Sequence, residues 1–217
     1  MIIPDGNRRW AISCGLKPWE GHNKSGTYDN MSSLFDEGKR LGIKYMSFWG
    51  FSTENWKRDK KEVDIILMLV LKGIRQFAAK AHEDKIKFLH VGRKDRLPKN
   101  LVEEMNALEK ETVGYDKFCV LLLLDYGGRD EIIRAVGRAK GKKVDEKSFG
   151  GFLDTAGIPE PDLIIRTGGE KRLSGLMPFQ SVYSELYFID KLFPDFTAED
   201  LREAVGEFRE RERRFGN

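Results

Sequence analysis

Seven consecutive apolar residues, Phe118 to Leu124, leave this chain few folds to choose from. A strand with one wet face alternates apolar and polar residues. An unbroken run means that both faces are covered, as in a central strand of a parallel sheet with helices on either side. The only other run as long, Ile65 to Leu71, also has seven residues, and a membrane span needs about 20. Ile43 to Trp49, Ile86 to Val91 and Asp162 to Arg166 read as further short strands. Helical stretches separate them. Val63, Ile66, Leu67, Val70, Leu71, Ile74 and Phe77 recur at helical spacing within Lys60 to Ala81. Pro98 to Thr112, Arg129 to Lys140 and Thr197 to Arg214 are also helical, the last opened by a Thr197–Asp200 capping pair. The alternation predicts an α/β fold over residues 1–217, a single domain with a mostly parallel central sheet flanked by helices. Sheets of this kind bind ligands at the carboxyl ends of their strands.

Charge narrows the partners. The chain carries 38 basic and 35 acidic side chains, a net +3 spread over mixed charges, which does not call for a polyanion. Arg209, Arg211, Arg213 and Arg214 alternate with Glu207, Glu210 and Glu212, the pattern of a solvated helix face and not of a nucleic-acid site. Two cysteines, Cys14 and Cys119, predict a reducing compartment and no disulfide framework. No signal-peptide pattern is present, since the charges at Asp5 to Arg9 come too early. A cytoplasmic protein is expected.

Three polar segments follow predicted strands. Asp5-Gly6-Asn7-Arg8-Arg9-Trp10 comes after the short apolar start Ile2-Ile3. Backbone N–H groups near Gly6 can cradle phosphate oxygens and an arginine can grip them in a fork. Asp5 would repel the phosphate unless a cation lies between, and Mg²⁺ favours one or two carboxylates plus phosphate oxygens. A solvated turn with surface arginines would leave the same trace. Gly50 to Arg58 nearly makes a G-x-S-x-G nucleophile elbow, but the fifth residue is Glu54. None of His22, His82 and His90 has a triad context, so Ser52 reads as a helix cap. Arg166 to Ser174 combines two glycines with Arg166, Lys171 and Arg172, a second phosphate cradle. Two polar cradles and an apolar helix, Ile65 to Leu71, together suggest a diphosphate head with a hydrocarbon tail. Helix burial in an ordinary core is the plainer account of that apolar stretch.

Eight motifs in order, DGNRRWA (Asp5 to Ala11), Gly21-His22, FSTENW (Phe51 to Trp56), DYGGR (Asp125 to Arg129), DLIIRTGGEKRLS (Asp162 to Ser174), YSELYF (Tyr183 to Phe188), LFPDF (Leu192 to Phe196) and RERRFG (Arg211 to Gly216), resemble the cis-prenyltransferases. This is the undecaprenyl and dehydrodolichyl diphosphate synthase family, and Pro4 and Arg8 look like its archaeal branch. No DDxxD pattern of the trans-type synthases occurs. The resemblance implies a homodimer with a hydrophobic tunnel walled by helices and sheet. It implies Mg²⁺ at Asp5 and Glu185, with Asp5 catalytic. Gly6, Asn7, Arg8, Arg9, His22 and Arg58 match residues that hold the allylic diphosphate, with Trp10 alongside. Arg166, Arg172 and Ser174 match those that hold isopentenyl diphosphate. Ser52 and Asn55 match residues that orient substrates and assist proton loss, with Thr53, Glu54 and Trp56 beside them. Arg214-Phe215-Gly216 resembles a terminal R-x-G that reaches the neighbouring subunit. A lipid product also implies transient contact with a membrane surface.

The chain departs from the bacterial pattern around the pockets. Arg8 replaces a glycine, Pro18 stands at an arginine position, and two extra residues lie between His22 and Ser52. Asp125 replaces an asparagine, Gly175 another, and Pro178-Phe179 a Leu-Trp pair. Leu123 and Leu124 replace alanines, where bulk is expected to reshape the tunnel. The expected reaction joins an allylic diphosphate to isopentenyl diphosphate with loss of diphosphate. Short or irregular condensation on the same site is the first alternative, and a non-catalytic partner subunit the second.

Overall fold

The computed structural model describes residues 1–25 and 28–211. Its sheet has six strands, all parallel, in the order β3-β4-β2-β1-β5-β6. They are β1 (Ile2–Ile3), β2 (Tyr45–Ser52), β3 (Ile86–Val91), β4 (Phe118–Tyr126), β5 (Leu163–Arg166) and β6 (Glu185–Phe188). The helices are α1 (Asn7–Ser13), α2 (Glu20–Ser25), α3 (Tyr28–Arg40), α4 (Lys60–Glu83), α5 (Lys99–Glu111), α6 (Gly128–Ala139), α7 (Glu146–Phe149) and α8 (Ala198–Glu210). Thr197 and Asp200 form the capping box that starts α8. Arg214, Phe215 and Gly216 lie outside the described residues.

The apolar run on β4 is buried on both faces, as its unbroken character requires. Phe118, Val120 and Leu124 pack with α3, α4, α5 and α8 residues such as Leu34, Ile74, Met105 and Leu201. Cys119, Leu121 and Leu123 face the opposite way, toward Ile3, Ile164 and Met177. This is the period of two that a strand imposes.

Two strands run past the glycine and the charge at which they were expected to stop. Pairing of β2 with β4 shifts register between Trp49 and Phe51, and again before Ser52. Such a bulge absorbs Gly50 and lets the strand continue. β1 is short, yet it sits in the middle of the sheet, between β2 and β5. Asp5 therefore emerges next to Arg166, 161 positions away in sequence. Among the described residues no helix is long and apolar enough to cross a membrane.

Candidate active site

A cavity of about 950 Å³ opens at the carboxyl ends of the strands. Its mouth is lined by Asp5, Gly6, Asn7, Arg8, Arg9, His22, Ser52, Glu54, Asn55, Arg58, Arg129, Arg166 and Ser174. Its body runs between α3, α4 and the sheet, lined by Phe35, Phe48, Ile66, Val70, Phe77, Phe88 and Leu122 among others. The cavity joins a charged end to an apolar interior.

Asp5 is held from three sides. Its Oδ1 accepts the Gly6 N–H at 2.6 Å and its Oδ2 accepts from Arg166 at 2.8 Å. Arg9 lies 3.5 Å from Oδ1. Gly6, at φ 103, makes the left-handed turn that a side chain would disfavour and caps α1. Thr167 ties the segment down: its hydroxyl accepts the Asp5 N–H at 2.9 Å and donates to the Asp5 carbonyl at 2.8 Å. Asn7 donates to the Pro4 carbonyl at 2.8 Å, while its buried Oδ1 has no partner among the described residues.

Arg8, Arg58 and His22 also line the mouth. Buried Glu62 on α4 takes Arg58 at 2.9 Å and stands 3.9 Å from Arg8. Gly21 explains the Gly-His pair, since a Cβ there would lie 1.9 Å from the Asn7 carbonyl oxygen. Only glycine lets α2 pass so close to α1 and bring His22 to the cavity. Burial, then the Arg58 and Arg8 charges, push the His22 pKa down to about 4. The ring is neutral at pH 7, so the mouth's positive charge comes from its arginines.

The sign of the His22 effect is fixed. The folded state disfavours the protonated ring, so the unfolded chain binds the proton first, near its ordinary 6.5, and stability falls as pH drops toward 4. Between pH 7 and pH 5 this one group removes about 2 kcal/mol. Urea unfolding at both pH values should show that loss in the native protein and a smaller one in His22→Gln. Equal losses would contradict the assignment.

Arg166 is 5% exposed. Besides Asp5 it donates to Ser174 Oγ at 2.9 Å and to the Arg172 carbonyl, while its buried Nε has no partner among the described residues. The Arg172 side chain is not part of the cavity lining. It pairs with Glu170. Trp10, Thr53 and Trp56 also stand outside the lining. Trp10 donates to Asp195 at 2.9 Å, and Thr53 packs on Gly127. Asn55 is at the wall, its Oδ1 accepting the Ser52 N–H at 3.0 Å in the cap of the turn that follows β2.

Glu185 does not stand beside Asp5 within this chain. It begins β6, in register with Leu163, while Asp5 lies beyond the level of Arg166 at the other end of β5. Three residues of strand alone make roughly 10 Å. Its carboxylate pairs with Arg211 at 2.9 Å. Among the described residues no three His, Cys, Asp or Glu side chains are grouped to hold a metal. Leu123 and Leu124 are wholly buried and do not line the cavity, so the bulk expected to reshape it comes instead from Val120 and Leu122.

Asp125 is fully buried at φ 51. Arg96 grips both its oxygens, one at 2.9 Å, and the Trp56 indole N–H donates to it at 2.8 Å. Arg96 also lies 5.7 Å from the Trp56 ring centre. A carboxylate buried at the end of an apolar strand needs a cation, and that was the only signal in the sequence that pointed toward Arg96.

The sequence matches the profile of the Prenyltransf family, described as undecaprenyl diphosphate synthase, over residues 3–216. The chain belongs to that family. It is 39% identical to an isoprenyl transferase of Aquifex aeolicus over 99% of this chain and 94% of that one. A tritrans,polycis-undecaprenyl-diphosphate synthase (geranylgeranyl-diphosphate specific) of Pyrococcus horikoshii is 37% identical over 99% and 85%. Among solved structures, a lavandulyl diphosphate synthase of Lavandula x intermedia in complex with dimethylallyl diphosphate superposes with a TM-score of 0.94. That match has 34% identity and covers 100% of this chain and 96% of that one. The protein is thus a transferase of prenyl groups, an isoprenyl diphosphate synthase of the cis type.

Proposed function

We propose that this cis-prenyltransferase joins an allylic isoprenoid diphosphate to isopentenyl diphosphate and releases diphosphate. The observation that carries this is the continuity of one cavity, with arginines and Asp5 at its mouth and aromatic and aliphatic side chains along its body. A diphosphate with a hydrocarbon tail satisfies both ends at once. The residues that line the mouth support the following assignment. Arg8, Arg9, Arg58 and the Gly6 N–H region take the allylic diphosphate. Arg166 and Ser174 take the acceptor's, and Ser52 and Asn55 orient the reacting carbons between them.

Asp5 fits Mg²⁺. Its carboxylate reaches the cavity, and a hard cation asks for one or two carboxylates with phosphate oxygens filling the remaining positions. Bound there, Mg²⁺ would neutralise charge on the departing diphosphate. The arginines serve the same end as fixed donors that need no rearrangement during the reaction. As the allylic C–O bond breaks, Phe48, Ile66, Val70 and Leu122 keep water from the cationic carbon. The acceptor alkene then attacks that carbon and one proton is lost.

Diphosphate release measured with both substrates should stop on chelation with EDTA and return with added Mg²⁺. The melting temperature of the substrate-free protein should not move, since among the described residues no three His, Cys, Asp or Glu side chains are grouped to hold a metal. Turnover that persists in excess chelator would overturn the metal assignment.

The likeness in shape to the lavandulyl diphosphate synthase favours a second reading, a short or irregular condensation on the same site. We also infer a homodimer, supported by Ile133 and Val136, which lie one turn apart on α6 and are exposed, Ile133 by 71%. Peripheral contact with the cytoplasmic membrane surface is consistent with a lipid product.

A further inference from the structure

We propose that Arg129 is a specificity-determining residue that supplies the second guanidinium for the acceptor diphosphate. This rests on the condensation reading above and adds a residue to it. Of the arginines whose side chains the structure describes, Arg129 alone makes no hydrogen bond or ion pair with the described residues. It nevertheless lines the cavity. Its guanidinium donors stand at the rim of an apolar chamber, while the other described arginines are paired, and they are free to take an anion in a fork there.

Its position says which anion. Arg129 lies in the first turn of the twelve-residue helix α6. The Gly128 N–H donates to the Gly175 carbonyl at 2.9 Å, and a Cβ on Gly128 would lie 2.5 Å from that same oxygen. The start of α6 is therefore sewn to the Ser174-Gly175 loop. Ser174 in turn accepts from Arg166 at 2.9 Å. Arg166 is itself 5% exposed, with a buried Nε that has no partner among the described residues. Arg129, Ser174 and Arg166 thus line the cavity along one hydrogen-bonded run from the start of α6 to the end of β5. Arg172, the other cation of that loop, pairs with Glu170 outside the cavity. The helix N-terminus adds its partial positive charge to the same place.

Arg129→Ala and Arg129→Lys should be titrated by calorimetry with isopentenyl diphosphate and, separately, with farnesyl diphosphate. Their KM values for both should be measured as well. Losing a charge-assisted contact should weaken acceptor Kd and raise acceptor KM roughly 10- to 100-fold in Arg129→Ala. Arg129→Lys should recover part of the loss, and the allylic constants should stay within about threefold. An exposed side chain with no partner leaves the melting temperature unchanged. Acceptor binding unaltered in Arg129→Ala, or acceptor and allylic binding weakened alike, would overturn the proposal. A native protein that binds isopentenyl diphosphate through Arg129 but never condenses it would sink the condensation reading and leave this assignment standing.

Discussion

Asp5→Asn should lower kcat by at least about 10³-fold, with the fold retained. The amide keeps an oxygen that can accept from Gly6 or Arg166, so the turn after β1 survives. What disappears is the negative charge that sits among Arg9, Arg166 and the substrate's phosphates. Arg166, 5% exposed, then loses its one carboxylate partner among the described residues. A stability loss on the order of 1–3 kcal/mol follows, moderated because Asp5 itself is partly open to water. Circular dichroism and a melting curve separate that loss from the catalytic one. Near-normal turnover in a folded Asp5→Asn protein would remove Asp5 from the chemistry.

The second large effect concerns product length. Gly73 lines the cavity from α4, on the same face as Ile66, Val70 and Phe77, and a Cβ built on it meets nothing within 4 Å. Gly73→Leu therefore puts a branched side chain into the space the growing hydrocarbon would occupy. Products should shorten by at least one five-carbon unit, because an occupied volume cannot be shared. The helix itself should gain up to about 1 kcal/mol from losing an interior glycine. Phe88 gives the converse. It lies on β3, three residues before that strand's carboxyl end, and Phe77 is tilted against it with ring centres 6.2 Å apart. Phe88→Ala should lengthen the products at a stability cost of about 3–5 kcal/mol. Mass analysis of dephosphorylated products reads both changes, and unchanged lengths in both variants would show that the chain does not grow into this cavity.

Much of the architecture was legible because local pattern and burial agree. The run Phe118–Leu124 is a central strand for the reason its composition implied, and α4 follows its apolar spacing nearly residue for residue. Helices α1 to α3 were not legible. Asn7–Ser13 offers too few apolar residues to show a period, and it is helical because Gly6 caps it and Ala11 is buried against the rest of the fold. Gly50 looked like a strand end, and only pairing with β4 carries the strand past it.

The site shows the same divide. Asp5, Arg9, Arg58, Arg166 and Ser174 were visible as charged and small residues following strands, and the order of the sheet brings them together. Which side chains turn toward the cavity was not visible. Arg172 carries the composition of a phosphate ligand but pairs with Glu170, and Glu185 lies at the far end of β6. Arg96 gave no signal of its own, and Arg129 stood only as the last residue of the DYGGR motif, with no role attached to it. Their meaning depends on Asp125 and Gly175, partners that only the fold supplies.

Product identity tests the central claim most directly. Purified protein with Mg²⁺ is given labelled isopentenyl diphosphate together with dimethylallyl, farnesyl or longer allylic diphosphates, and the dephosphorylated products are identified by mass and NMR. The account predicts chains extended by cis-configured five-carbon units, with one diphosphate released for each unit added. Binding of the diphosphates without any carbon–carbon bond formed, for every pair tried, would contradict it.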